Sequence, residues 1–210
     1  MTLKSLALLA LYRVLTSCML LPAACFLAYS RRHDPHYGKN FWQLLGFKLP
    51  RFEQGCVVFH AASMGEANAL KPLVSEFKKR HPEIDTVVTT LTTTGAQAAS
   101  KIADITVCYC PLDNYFAVKS FYKKLKPLMI VTADTELWPE KMVTGAALSC
   151  KMVLVNARMQ EKNTLAYLKH KQLVADLISS KLSAVMCASD EDAKRYERIG
   201  VDAKKNLSHR

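Results

Sequence analysis

From residue 56 onward the chain alternates short apolar, β-branched runs with longer stretches that read as helices. Taken in order, strand 56–60 leads to helix 66–80, strand 86–91 to a short helix 96–102, and strand 105–109 to helix 115–125. Strand 128–131 then leads to helix 139–148, strand 152–155 to helix 164–178, and strand 184–187 to helix 191–199, which Gly200 stops. Six strand–helix units with short connections predict the α/β class. The sheet should be parallel and doubly wound, with right-handed crossovers and ligands outside the carboxyl ends of its strands.

Before this pattern lies a different one. Residues 6–29 are apolar apart from Arg13, Thr16, Ser17 and Pro22, which is long enough for a membrane helix of about 20 residues. A central Arg costs roughly 2.5–3.5 kcal/mol on insertion scales, but Arg13 sits toward the amino-terminal third, within snorkelling reach of the interface. The helix is therefore expected either to span the bilayer or to lie in one leaflet. Lys4 precedes it, whereas Arg31, Arg32, Lys39, Lys48 and Arg51 follow, which places the bulk of the chain on the cytoplasmic side. A cleaved secretory signal ending near Cys25 is opposed by the same basic cluster. Residues 31–54 mix those cations with Tyr37, Phe41, Trp42 and Phe47, which suits a lipid headgroup zone and equally a linker with a few core aromatics. The expected division is an anchor over 1–30, an interfacial segment over 31–54 and a sheet domain over 55–210.

Composition narrows the partners. The 210 residues are 50% hydrophobic, enough for one good-sized core plus an anchor. With 29 Lys and Arg against 18 Asp and Glu, the net charge of +11 implies an anionic partner: nucleic acid, anionic lipid or a phosphorylated substrate. Seven cysteines, mostly inside strand-like runs, read as reduced core residues. Cys108 and Cys110 share one strand face without a second pair at zinc-site spacing, so no metal site is expected. No Gly-x-Gly-x-x-Gly follows the first strand, which argues against a standard dinucleotide reader.

The loops after strands one, two, four and five should line one cleft. The first supplies His60, Ser63, Gly65 and Glu66. Gly65 lets backbone pass close to a ligand and the new helix offers free N–H groups to an anion, while Glu66 reads either as chemistry or as a first-turn acid complementing the helix dipole. The second supplies a threonine-rich turn through Thr93, Thr94 and Gly95, suited to a phosphate or sugar and equally to ladder and capping roles. The fourth is Asp134-Thr-Glu-Leu-Trp-Pro139, with two acids (Asp134, Glu136), Trp138 as a packing anchor or else a sugar platform, and a first-turn proline. The fifth carries Arg158, which either forks onto a phosphate or carboxylate or pins Asp134 or Glu136.

Five motifs in register carry a resemblance: His60-Ala-Ala-Ser-Met-Gly-Glu66, Thr89-Thr-Leu-Thr-Thr-Thr-Gly95, Cys110-Pro-Leu-Asp113, Asp134-Thr-Glu-Leu-Trp-Pro139 and Asn156-Ala-Arg158. In order and spacing the chain resembles the 3-deoxy-D-manno-octulosonic acid (Kdo) transferases. The resemblance implies the Rossmann-like, acceptor-binding half of a B-type inverting glycosyltransferase at the cytoplasmic face of the inner membrane. It would use CMP-Kdo as donor and lipid A precursor (lipid IVA) as acceptor, without metal, other cofactor or nucleic acid. Glu66 falls on the family's base, and Asp134 or Glu136 would steady positive charge on the donor sugar. His60, Ser63, Gly65, Thr93, Thr94, Gly95 and Arg158 would bind substrate.

Two departures bear on these expectations. The family usually has Glu where this chain has Asp134, one methylene shorter. The family also continues into an interdomain Thr-Gly-Asn-Leu-Lys-like motif and a nucleotide-holding domain, and the stretch before Arg210 lacks both. The expectation is therefore a truncated copy or one half of a split enzyme, inactive alone. The rival reading is a membrane-anchored module that binds lipid phosphate without turnover.

Overall fold

The computed structural model describes residues 1–30, 33 and 35–208, so Arg31 and Arg32 of the basic segment lie outside the described residues. Its centre is an all-parallel sheet of seven strands: β1 (Cys56–His60), β2 (Thr86–Thr90), β3 (Thr106–Tyr109), β4 (Pro127–Ala133), β5 (Lys151–Ala157), β6 (Ala184–Cys187) and β7 (Asn206–Ser208). The spatial order is β3-β2-β1-β4-β5-β6-β7. Helices α3 (Met64–Arg80), α4 (Thr93–Ala99), α5 (Tyr115–Leu125), α6 (Pro139–Ala147), α7 (Glu161–Leu168), α8 (Lys171–Leu177) and α9 (Asp190–Arg198) connect the strands. The α/β class and the doubly wound parallel sheet are as expected.

Alternation along each strand explains the two helical layers. Val57, Phe59, Val131 and Val153 point to one face, where they meet Ala67, Leu70 and Val74 of α3 and Ala98 and Ala99 of α4. Cys56, Val58, Ile130, Met152 and Leu154 point to the other, against Val118, Phe121 and Leu125 of α5 and Met142 of α6. Both faces are covered, which is why the strands read as continuous apolar runs rather than alternating ones. All seven cysteines are unpaired, and five are buried.

Three details depart from the pattern read along the chain. The seventh strand was not expected; three residues suffice because β6 already offers an edge, on which Asn206, Leu207 and Ser208 pair with Val185, Met186 and Cys187. Helix α4 begins three residues early, since the Thr92 hydroxyl accepts from Gly95 N (3.1 Å) and starts the helix within the threonine run. The single helix expected over 164–178 is two, α7 and α8, because α7 packs on α9 whereas α8 packs on the amino-terminal helix.

That helix, α1 (Leu3–Ser30), is long and apolar enough to cross a membrane. Its amino-terminal half nevertheless docks on the sheet domain. Thr2 N donates to Asp176 Oδ2 (2.8 Å), Tyr12 Oη to Asp113 Oδ2 (2.8 Å), and Asn114 Nδ2 to Ser17 Oγ (3.1 Å). Arg13 does not reach for an interface: its Nε and Nη2 fork onto both oxygens of Glu140 at 2.8 and 2.9 Å. The outward side keeps Leu3, Leu6, Val14, Met19, Leu21 and Phe26 exposed. A second helix, α2 (Pro35–Leu44), carries the chain to the β3 edge, where Gln43 Oε1 accepts from Tyr109 N (2.8 Å).

Candidate active site

The strand order reverses between β1 and β4, and in an open parallel sheet that reversal splays the following loops and opens a crevice beyond the strands' carboxyl ends. Two acid-bearing loops flank it. After β1, Ser63 caps α3: its hydroxyl accepts from Glu66 N (3.3 Å) and donates to Glu66 Oε1 (2.8 Å), while Glu66 Oε2 accepts from Ala62 N (2.8 Å). The carboxylate is thereby fixed at the helix start, half-buried, with a lone pair on each oxygen still to offer. Gly65 is not demanded by its protein surroundings, for a Cβ there would lie 3.9 Å from Ser63 Oγ.

The second loop is knitted to the first, with Thr90 and Thr92 hydroxyls donating to the Ala62 carbonyl at 3.5 and 3.4 Å. Thr93 and Thr94 occupy the first turn of α4, Thr94 exposed and Thr93 half-buried. Gly95 is buried, and a Cβ on it would overlap the Thr90 hydroxyl and lie 3.3 Å from the Ser63 carbonyl carbon. Close packing of α4 on the first loop thus requires a glycine here.

After β4 the chain turns sharply. Asp134 takes φ 59° and Asn156, at the end of neighbouring β5, φ 52°; both are types that tolerate the left-handed region. The Thr135 hydroxyl donates to the Arg158 carbonyl and lies 3.3 Å from Asp134 Oδ1, tying the fourth and fifth loops together. Glu136 Oε2 accepts from Trp138 Nε1. Pro139 opens α6 as expected, but Trp138 gives no side-chain cap. Asp113 supplies it from the third loop, accepting from Glu140 N (2.9 Å) and Lys141 N (3.0 Å). Arg158 is exposed and, among the described residues, pairs with neither Asp134 nor Glu136, which leaves its guanidinium available to an anion.

His60 ends β1 but faces the α5–α6 side of the sheet. Its Nδ1 shares a hydrogen bond with Thr89 Oγ1 (2.9 Å) and the ring is 4% exposed. Burial, reinforced by the charge of Lys141, pushes its pKa down from 6.5 to about 4. Between those values the unfolded chain binds a proton at this position and the folded chain does not. Stability is then complete above pH 6.5 and falls as pH drops toward 4, by on the order of 3 kcal/mol from this group. Urea midpoints measured across that window should fall more steeply for the wild type than for His60→Asn; parallel profiles would refute the assignment. Among the described residues no three His, Cys, Asp or Glu side chains converge as a metal set would require.

A doubly wound half with two acid-bearing loops astride its reversal is the Rossmann-like architecture of B-type glycosyltransferases. A solved UDP-N-acetylglucosamine 2-epimerase shares the fold, with a TM-score of 0.50 over 72% of this chain and 47% of that one at 15% identity. The chain belongs to the Kdo transferase family: residues 39–208 match the family described as 3-Deoxy-D-manno-octulosonic-acid transferase (kdotransferase). The 3-deoxy-D-manno-octulosonic acid transferase of Rickettsia felis is 33% identical over 77% of this chain and 36% of its own length. For that of Haemophilus influenzae the values are 28%, 86% and 43%. The chain thus spans less than half the length of these relatives.

Proposed function

We propose that the chain is the acceptor half of an inverting glycosyltransferase that moves Kdo from CMP-Kdo to lipid A precursor (lipid IVA). The observation that carries this reading is the placement of Glu66 across the β1–β4 reversal from Asp134 and Glu136, in a chain of the Kdo transferase family. Glu66 takes the proton of the acceptor hydroxyl as that oxygen bonds to the anomeric carbon, and the CMP phosphate leaves with the electrons of the old bond. Asp134 or Glu136 steadies the positive charge that develops on the sugar. Arg158 holds an anionic group of the substrate, and Ser63 keeps the base in place. The nucleotide is held by a second, donor-binding domain, and no further cofactor enters.

In this reading α1 meets the cytoplasmic face of the inner membrane through its exposed apolar side, next to the basic residues that follow it, and brings the crevice to a lipid-borne acceptor. The test joins residues 1–210 to the carboxyl-terminal part of the Rickettsia felis relative and follows labelled Kdo from CMP-Kdo into lipid A precursor. Transfer by the joined protein and none by residues 1–210 alone is the expected result. Acceptor binding without transfer in the joined protein would favour a lipid-phosphate-binding module instead.

A further inference from the structure

Lys141 belongs to no motif singled out in the sequence, yet the fold gives it a fixed place in the crevice. Its backbone N–H is held by Asp113 (3.0 Å) and its carbonyl accepts from Tyr122 Oη (2.9 Å). The ammonium lies over the Trp138 ring, 5.3 Å from the centroid, and its charge acts on the buried Cys110 thiol. Neither neighbour is an anion, and among the described residues Lys141 forms no ion pair. The ammonium is half-buried, and Glu136 shares its surroundings without coming within ion-pair distance of it.

Beside it, at the carboxyl ends of β1 and β4, lies a cavity of about 20 Å³ whose lining is mostly apolar, Phe121, Ile130 and Met152 among it, and which His60, Glu136 and Lys141 also border. That is room for one water or one ligand oxygen. His60 Nε2, on the ring edge away from Thr89, is buried without a hydrogen-bond partner among the described residues. An oxyanion beside Nε2 would select the tautomer in which the Thr89 hydroxyl donates to Nδ1 and Nε2 carries the proton, so that the neutral ring offers a donor without a second charge. Glu136 is the acid on this wall; its carboxylate is engaged by Trp138 Nε1, and its charge, which opposes an anion, is offset by that of Lys141.

We propose that Lys141 and His60 form an oxyanion seat, in which one oxygen of a carboxylate or phosphate on the substrate sugar lies between Lys141 Nζ and His60 Nε2–H. Lys141 is then a substrate-binding residue, and Trp138 is the aromatic wall that holds its ammonium in place. The seat rests on the sugar-transfer reading for the choice of sugar. Its chemistry, a lysine and an unpartnered histidine nitrogen lining a one-oxygen cavity, does not.

Because the chain has two tryptophans, Trp42→Phe leaves Trp138 as the only reporter. In that background Trp138 emission is titrated with Kdo and with its uncharged methyl ester, then with N-acetylglucosamine 1-phosphate and N-acetylglucosamine. The charged member of one pair should bind about tenfold or more tightly than the neutral member, and the pair that shows this names the carboxylate or the phosphate as the group recognised. Lys141→Gln should reduce that preference to near one, and Lys141→Arg should keep much of it. Thermal unfolding of the same variants separates a binding effect from loss of fold. A preference absent in the Trp42→Phe protein, or unchanged by Lys141→Gln in both pairs, overturns the proposal. If Lys141 instead serves as a structural partner of Glu136, Lys141→Gln and Glu136→Gln lose stability alike and neither alters the preference. Failure of Kdo transfer by the joined protein with the Lys141-dependent preference intact would discard the transfer reading and leave the seat standing.

Discussion

Glu66→Gln in the joined two-domain protein is expected to slow Kdo transfer by about 10²–10⁴-fold while acceptor affinity stays within about twofold. The substitution separates two roles that one carboxylate fills here. As a capping group, Glu66 accepts from Ala62 N and Ser63 Oγ, and the Gln carbonyl can accept from one of them while its amide nitrogen donates to the Ser63 oxygen. Helix α3 should therefore keep its start, losing at most the charge–dipole contribution of about 0.3–1 kcal/mol. As a base, Gln has nothing to offer, because its amide does not take the hydroxyl proton. A fall in kcat with unchanged KM and an unchanged unfolding midpoint is thus the signature of the base. Wild-type turnover in the Gln variant would remove Glu66 from that role, and a fall in stability matching the fall in rate would return it to capping. Asp134→Asn and Glu136→Gln should each cost less, and their unequal effects would show which acid faces the donor.

What the sequence made legible was the strand–helix alternation and the loops that follow the strands, because burial on both faces writes itself as apolar runs and turns need small residues. His60, Glu66, Asp134 and Arg158 were found this way and do lie at one end of the sheet. What it concealed depends on contacts between distant loops. The side chain of His60 faces α5 and α6, away from α3 and Glu66, a distinction that hangs on strand parity and on which helix covers which face. At Gly95 the Thr90 hydroxyl and the Ser63 backbone leave no space for a Cβ, a packing demand that its threonine neighbours in the sequence do not announce. Asp113 caps a helix whose own N-cap position is a tryptophan, and Lys141 follows a proline motif in a helix that any surface lysine could occupy. Neither spacing nor composition marks such residues. A pairing of Arg13 with a residue 127 positions away has no local signal either.

Arg13→Leu is expected to lower the unfolding free energy in detergent by about 3 kcal/mol, although it makes α1 more apolar. Glu140 is fully buried, and its two oxygens take both arms of the guanidinium and the Thr144 hydroxyl (2.8 Å). Removing one partner of a buried pair leaves the other charge uncompensated, at a cost of roughly 3–5 kcal/mol, and the lower end applies here because Arg13 is itself about a third exposed. If α1 served only as an apolar anchor, the leucine substitution would instead be neutral or favourable, since an Arg costs roughly 2.5–3.5 kcal/mol at the centre of an inserted helix. The two accounts differ in sign, so one comparison decides between them. Arg13→Leu combined with Glu140→Leu should regain much of the loss, because a pair replaced by packed apolar groups leaves no orphan charge, whereas independent sites would add their costs. The same unfolding should loosen the start of α6, whose first N–H groups are held by the Asp113 carboxylate that Tyr12 also contacts. Hydrogen exchange at Glu140 and Lys141 should therefore rise in Arg13→Leu and recover in the double variant. Exchange that stays at wild-type rates in Arg13→Leu would show that the docking of α1 and the acid-bearing loop after β4 are energetically separate.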